Sequence, residues 1–294
     1  MISFFRYPGG KSKLRKTILD HLGPRYFKHP DLEYREPFFG GGGIGLSLQQ
    51  SNSGMAGVKS RVWINDRDVG VSCLWTAVIR WPEDLKEQVM QFTPSVETFY
   101  QYKGELLTDP WKKTRREIVE WGFKKLAIHQ TSYSGLGTKS GGPLGGRGQN
   151  SKYKIDCRWS PDYICKKIDK LHELFSELEM REGCCTSDDF ADVIYDEQHP
   201  AILYLDPPYF VKGNDLYQYG FALEDHERLA DLLRQTSHDW LLSYDDCEEI
   251  RKLYSWASME VIGVNYTITA KKDASTGKPE SRNKNELLIW RQQS

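Results

Sequence analysis

Tyr34-Arg35-Glu36-Pro37-Phe38-Phe39-Gly40-Gly41-Gly42-Gly43-Ile44-Gly45 decides the fold. Tyr34 to Phe38 reads as a short buried strand. The four glycines after it turn the chain into a helix expected from Ile44 to Gln50. Arg61 to Asn65 follows as a second strand, with Val62 and Ile64 alternating, and Asp68 to Arg80 reads as a helix ended by Pro82. Strand, glycine turn, helix and strand in that order open a doubly wound α/β sheet.

The alternation breaks after residue 81 and resumes near residue 161. Pro161 to Met180 reads as a helix, with Ile164, Ile168, Leu171, Leu174 and Leu178 at three- and four-residue spacing. Ala201 to Leu205 reads as a fully buried strand. A helix over Glu224 to Arg234, a strand over Trp240 to Tyr244, a helix over Asp246 to Tyr254 and a strand over Met259 to Thr267 come next. A polar loop, Lys271 to Lys284, precedes a last strand at Glu286 to Trp290. The chain thus divides into residues 1–81, an inserted, mainly helical lobe at 82–160, and residues 161–294. Within the insert, Ser132 to Asn150 is dominated by Gly, Ser and other polar residues. It is expected to be a mobile loop outside the core, because it buries little and loses much backbone entropy.

Composition bounds the function. Hydrophobic residues make up 39% and aromatics 13%, enough for a packed core and against global disorder. The longest apolar run, Ala201 to Leu205, is far too short to cross a bilayer, and Met1 to Arg6 lacks a signal-like apolar stretch, so a soluble intracellular protein is expected. The six cysteines include no C-x-x-C pair, which argues against zinc, and adjacent Cys184-Cys185 reads as core filling in a strand-like stretch. The net charge of −1 hides an asymmetry. Gln101 to Ser160 carries twelve Lys and Arg against five Asp and Glu, whereas Ser187 to Glu260 carries five against seventeen. A basic insert on an acidic scaffold suits a polyanionic partner.

Three stretches carry chemistry. Asp206-Pro207-Pro208-Tyr209 follows the buried strand directly. Two prolines cannot continue a central strand, so they make a stiff turn at its carboxyl end, where open α/β sheets bind ligands. That turn offers a carboxylate, free carbonyls and an aromatic face, which suit an exocyclic amine and the base that bears it. In the glycine turn, Gly40, Gly42 and Gly45 formally match G-x-G-x-x-G, and Asp66 stands roughly twenty residues on as an acceptor for ribose hydroxyls. This pattern alone is ambiguous between NAD and S-adenosylmethionine, since both carry an adenosine. The third stretch is Arg6-Tyr7-Pro8-Gly9-Gly10-Lys11, in which Lys11 on a glycine turn could meet an anionic group. It is no P-loop, because Phe5 stands where the first glycine is needed.

Together and in this order, the three stretches resemble the Dam-like class of site-specific DNA adenine-N6 methyltransferases. Tyr7-Pro8-Gly9-Gly10-Lys11 is similar to the family's aromatic-x-Gly-Gly-Lys motif, Glu36-Pro37-Phe38-Phe39-Gly40 to its Glu-Pro-Phe-x-Gly cofactor loop, Ile64-Asn65-Asp66 to its ribose-binding strand end, and Asp206-Pro207-Pro208-Tyr209 to its catalytic motif. Weaker echoes are Ser187-Asp188-Asp189-Phe190, Leu242-Ser243-Tyr244 and Asn285-Glu286-Leu287-Leu288-Ile289. The resemblance implies a Rossmann-like methyltransferase sheet with a target-recognition lobe inserted at 82–160. It implies S-adenosylmethionine held by Tyr7, Lys11, Glu36, Phe38, Phe39, Gly40, Gly42, Asp66, Asp189, Phe190 and Asp206. It also implies catalysis by Asp206, Pro207 and Tyr209 on an adenine flipped from double-stranded DNA, without a metal.

In the insert, Tyr133-Ser134-Gly135-Leu136 is similar to the family's Tyr-Asn-Gly-Leu-type turn. Lys124, Tyr133, Lys139, Arg147, Lys152, Lys154 and Arg158 are the expected DNA contacts. Lys139 and Gly141 to Gly146 depart from the family's Arg-Tyr-Asn and Asn-x-Pro-Phe-Gly stretches, so GATC specificity is not carried over. The resemblance places the protein in the cytoplasm, at the nucleoid of a prokaryote or in a virus-infected cell, and leaves open a partner restriction nuclease encoded elsewhere. The rival readings are a methyltransferase for cytosine N4, RNA or protein, an NAD-dependent oxidoreductase and a catalytically silent DNA-binding relative. Asp at 206 favours adenine over the Ser common in cytosine-N4 enzymes.

Overall fold

The computed structural model describes residues 5, 7–11, 13–29, 31–52, 60–108, 114–211, 218–266 and 282–291. In chain order its elements are α1 (Arg15–Phe27), β1 (Glu33–Glu36), α2 (Gly45–Asn52), β2 (Arg61–Asn65), α3 (Val69–Arg80), α4 (Pro82–Gln91), α5 (Val96–Thr108) and α6 (Arg115–Thr131). Two short 3-10 turns follow, Tyr133–Gly135 and Gly137–Lys139. Then come α7 (Pro161–Ser176), β3 (Glu179–Thr186), α8 (Phe190–Tyr195), β4 (Ala201–Leu205), α9 (Leu223–Gln235), β5 (Asp239–Asp245), α10 (Glu248–Leu253), β6 (Ser258–Tyr266) and β7 (Arg282–Trp290).

The strands form one sheet in the order β3-β2-β1-β4-β5-β7-β6. The first five run parallel, and β7 pairs antiparallel with both β5 and β6. The chain winds outward from β1 to β2 and β3, then returns to β4 and winds the other way. The switch point therefore lies between β1 and β4. Strand β4 shows why the sheet is two-sided. Ile202 and Tyr204 join an apolar cluster with α1, α2, α3 and α7, whereas Leu203 and Leu205 join a second cluster with α8, α9 and α10. Alternate residues of a strand point to opposite faces, so a strand covered on both sides must be apolar throughout.

Several boundaries differ from the sequence reading. The first strand stops at Glu36, because Pro37 has no N–H for the ladder. The helix expected to Met180 ends at Ser176, and Glu179 and Met180 already pair with Arg61 and Val62 of β2. The exposed edge of β2 recruits the chain there, and tertiary pairing overrides the helical spacing. The last strand starts at Arg282, because the long ladder with β6 extends back to Tyr266 opposite Arg282. The remainder of the expected polar loop, up to residue 281, and the expected strand residue Thr267 lie outside the described residues.

The segment 82–160 shares the core. Leu85 and Val89 of α4 and Val119, Phe123, Leu126 and Ala127 of α6 belong to the same apolar cluster as the sheet residues Val62 and Ile64. Helix α6 begins at a capping box between Thr114 and Glu117. It then lies so close to α3 that a Cβ added to Gly122 would sit 2.6 Å from the Leu74 Cα. Buried Lys125 pairs with Asp68, which also caps α3 by accepting from the Val71 N–H.

The expectation that Ser132 to Asn150 stays outside the core is overturned. Ser132, Gly137, Thr138, Ser140 and Leu144 are buried. The Ser132 hydroxyl accepts from the Gly137 N–H at 3.1 Å, and the Ser140 hydroxyl lies 2.8 Å from the Gly142 carbonyl and 3.1 Å from that of Tyr133. Serine hydroxyls satisfy the backbone here, so the turns pack without much apolar surface.

Gly122 gives a stability test. In a helix, Gly→Ala ordinarily stabilises by about 1 kcal/mol. At Gly122 the added methyl would meet backbone, and overpacking should instead destabilise by about 1–3 kcal/mol. Urea unfolding of Gly122→Ala should show this loss, and an unchanged or raised midpoint would contradict the close approach of α6 to α3.

Candidate active site

A cavity of about 590 Å³ opens at the carboxyl ends of β1, β2 and β4, across the switch point. This is where doubly wound sheets bind ligands, and the volume is in the range of small-molecule sites. Every residue expected at the cofactor site, from Tyr7 to Asp206, lines this one cavity.

Backbone demands explain its first wall. Gly40 adopts φ +47°, and a Cβ there would lie 2.6 Å from the Tyr7 ring. A side chain at 40 would therefore be strained and would push Tyr7 out. The Gly40 N–H donates to Asp66 at 2.7 Å, and the Asp68 N–H donates to its other oxygen at 2.9 Å. Burial, reinforced by the nearby Asp68 carboxylate, raises the Asp66 pKa to about 7. Glu36 is also buried, accepts from the Tyr34 hydroxyl at 2.8 Å and the Gly45 N–H at 3.1 Å, and is pushed well above the ordinary carboxylate range by burial. Asn65 ties the strand ends together: it donates to the Pro37 carbonyl at 3.0 Å and accepts from the Asp188 N–H at 2.8 Å. One apolar corner is made by Phe38, Phe190 and Phe221, with ring centroids 5.3–5.6 Å apart. Beside it Asp189 caps α8 and pairs with Arg228 at 2.8 Å.

The second wall is the turn after β4. The Lys11 ammonium reaches both Asp206 oxygens, at 2.6 and 2.7 Å, and also donates to the Gly9 carbonyl at 2.9 Å. The Ser243 hydroxyl of β5 donates to Asp206 at 3.0 Å. Burial raises the Asp206 pKa, while Lys11 and Ser243 pull it back. Asp206 and Pro208 line the cavity, and Pro207 is buried beneath the turn. The Tyr209 ring lies 4.7 Å from the Lys11 ammonium, and its hydroxyl donates to Glu286 at 2.7 Å.

The family model of the D12 class N6 adenine-specific DNA methyltransferases matches residues 7–268, which include every residue expected at the cofactor site and the turn after β4. The chain belongs to that family. It is therefore an enzyme that methylates the N6 of adenine in DNA. No curated protein matches the chain.

In this D12 methyltransferase the expected DNA contacts separate into two groups. Tyr133, Lys139, Arg147, Lys152, Lys154 and Arg158 are exposed. The Arg147 guanidinium lies 4.6 Å over the Tyr100 ring and donates to its hydroxyl at 3.0 Å. Lys124 must be corrected. It is buried and paired with Glu105 and Glu120 at 2.6 and 2.5 Å, so its charge is neutralised within the fold rather than offered to a phosphate.

Sequence reasoning missed Ser243 as a partner of Asp206, Phe221 in the apolar corner, and Gln218. Gln218 lines the cavity, accepts from the Thr138 hydroxyl at 2.8 Å and donates to the Leu106 carbonyl at 3.1 Å. Only Ser243 had a local signal, in the echo at Leu242 to Tyr244. Among the described residues, no cluster of three or more His, Cys, Asp or Glu could hold a metal, and no helix is long and apolar enough to cross a membrane.

Asp66 makes the site pH-sensitive. Its folded pKa lies above the ordinary value, so the fold favours the protonated form. That contribution is complete below about pH 4 and is lost as the pH rises through about 7. Between pH 4.5 and 8, unliganded wild type should lose stability relative to Asp66→Asn by up to about 3 kcal/mol. Parallel stability curves from chemical unfolding would contradict the buried environment of Asp66.

Proposed function

We propose that the enzyme uses S-adenosylmethionine, held at the β1 and β2 ends of the cavity, to methylate an adenine flipped out of a specific double-stranded DNA sequence. The observation that carries this reading is that Asp206 opens into the same cavity as Asp66 and the Gly40 turn. The lining suits an adenosine-bearing cofactor. Asp66 can accept from ribose hydroxyls, the glycine turn leaves room where a Cβ would clash, and the Phe38–Phe190–Phe221 corner offers apolar surface to a purine. S-adenosylmethionine, when bound, supplies an electrophilic methyl group.

The chain's own residues do the rest. The adenine N6 lone pair is delocalised into the ring and is a weak nucleophile. Asp206 and the Pro207 carbonyl accept the N6 hydrogens, which favours a pyramidal nitrogen with its lone pair directed away from the ring. Lys11 and Ser243 fix Asp206, so little reorganisation is needed when charge develops. Tyr209 provides a stacking face for the base, worth about 1–3 kcal/mol. A base stacked in a duplex cannot reach an enclosed turn, so the adenine must be extruded.

Residues 82–160 serve as the target-recognition part between the catalytic segments 1–81 and 161–294. Tyr133, Lys139, Arg147, Lys152, Lys154 and Arg158 give it an exposed, largely cationic surface for phosphates and base edges.

Asp206→Ala tests the reading. Loss of a preorganised acceptor at the reacting nitrogen should lower kcat at least about 10²-fold. DNA binding should stay close to wild type, while the unfolding midpoint should fall, because Lys11 loses the partner of a buried ion pair. Activity within a few-fold of wild type, on folded protein, would remove Asp206 from the chemistry.

A further inference from the structure

Strand β5 and its neighbour β7 present one face to the catalytic turn. Ser243 and Asp245 are two residues apart on β5 and so point to the same side of the sheet. Ser243 donates to Asp206, the first residue of the turn. Asp245 accepts from the backbone N–H of Phe210 at 3.0 Å and of Val211 at 2.9 Å, the first two residues after the turn. Directly opposite Asp245 in the antiparallel β5–β7 register stands Glu286. Glu286 is buried, and its carboxylate takes the Tyr209 hydroxyl at 2.7 Å.

Two carboxylates facing each other across adjacent strands repel, and such pairs destabilise a sheet. The groups they meet here explain the arrangement. Asp245 receives two N–H donors and Glu286 receives a phenol, all three from the segment Tyr209 to Val211. Hydrogen bonds to an ionised acceptor are short and strong, and they fix geometry more firmly than neutral ones. The phenol is kept as a donor, because burial and the nearby Asp206 and Glu286 carboxylates raise the Tyr209 pKa well above its ordinary value. The Tyr209 ring is also packed against Tyr244 at 6.0 Å, and the Lys11 ammonium lies over it, 4.7 Å from its centroid. Its plane is thus held from the hydroxyl end by Glu286 and along the backbone by Asp245.

We propose that Glu286 and Asp245 are positioning residues for methyl transfer, which lock Tyr209 and the exit of the catalytic turn into the geometry that receives the target base. The inference rests on the reading that Tyr209 stacks on the adenine. Glu286 acts through Tyr209 and touches no reacting atom, so the two residues form one unit.

The test is single-turnover and steady-state methylation of DNA by wild type, Glu286→Gln, Glu286→Leu, Tyr209→Phe, the double variant Glu286→Leu with Tyr209→Phe, and Asp245→Ala. Wild-type turnover to N6-methyladenine establishes the activity independently of the variants, and Tyr209→Ala, which removes the ring, tests the stacking on its own: if it is as active as Tyr209→Phe, the stacking reading fails. Glu286→Leu should lose about tenfold to a hundredfold in kcat, with the cofactor KM unchanged. Glu286→Gln keeps an oxygen that accepts the phenol and should recover most of that loss. Tyr209→Phe should lose about as much as Glu286→Leu, and the double variant should lose no more than either alone. Asp245→Ala should likewise lower kcat rather than raise the cofactor KM. Additive losses in the double variant, or a Glu286→Gln as impaired as Glu286→Leu, would overturn the proposal. If Glu286→Leu does not fold, Tyr209→Phe and Glu286→Gln decide it, because a fully active Tyr209→Phe also overturns it.

Discussion

The ion pair between Lys11 and Asp206 organises the site. It joins the segment before α1 to the carboxyl end of β4, so residues near the start of the chain and residues past its middle share one cavity. A carboxylate in this desolvated turn would favour its neutral form without help, and a neutral acid is a poorer acceptor for an amine. Lys11 and Ser243 oppose that tendency while burial keeps the group rigid and free of competing water. The stiff Pro207-Pro208 turn, the glycine turn that admits Tyr7, and the two-sided sheet beneath them all serve to bring this carboxylate beside a cofactor-sized cavity.

Wherever the physics was local, the sequence was readable. Arg61–Asn65 and Ala201–Leu205 fell at the expected bounds, because alternation and an unbroken apolar run directly encode burial on a sheet. The glycine turn and Asp66 met at the cavity because a strand end and the next strand end are neighbours in a parallel sheet. Long-range partnerships were not legible. Nothing near Lys124 indicates that Glu105, on a different helix, will neutralise it. Phe221 and Gln218 lie beyond the catalytic turn in residues with no periodic signal, and only packing brings them to the cavity. The Gly- and Ser-rich stretch misled because hydroxyls can satisfy a buried backbone as well as a ladder can, and composition counts them only as polar.

The charge asymmetry finds a structural place. The basic residues of 133–158 are exposed, whereas Lys124 and Lys125 of α6 are buried in ion pairs that attach this segment to α3 and α5. The same stretch therefore anchors itself with some cations and displays others. These ion pairs fasten the segment to the helices that pack on the sheet.

The central claim concerns which atom is methylated. Purified protein would be incubated with unmethylated duplex DNA and isotopically labelled S-adenosylmethionine, and the DNA then digested to nucleosides and resolved by mass spectrometry. The account predicts label in N6-methyldeoxyadenosine alone, and none with Asp206→Ala. Label in N4-methyldeoxycytidine, or transfer undiminished by the loss of Asp206, would contradict it.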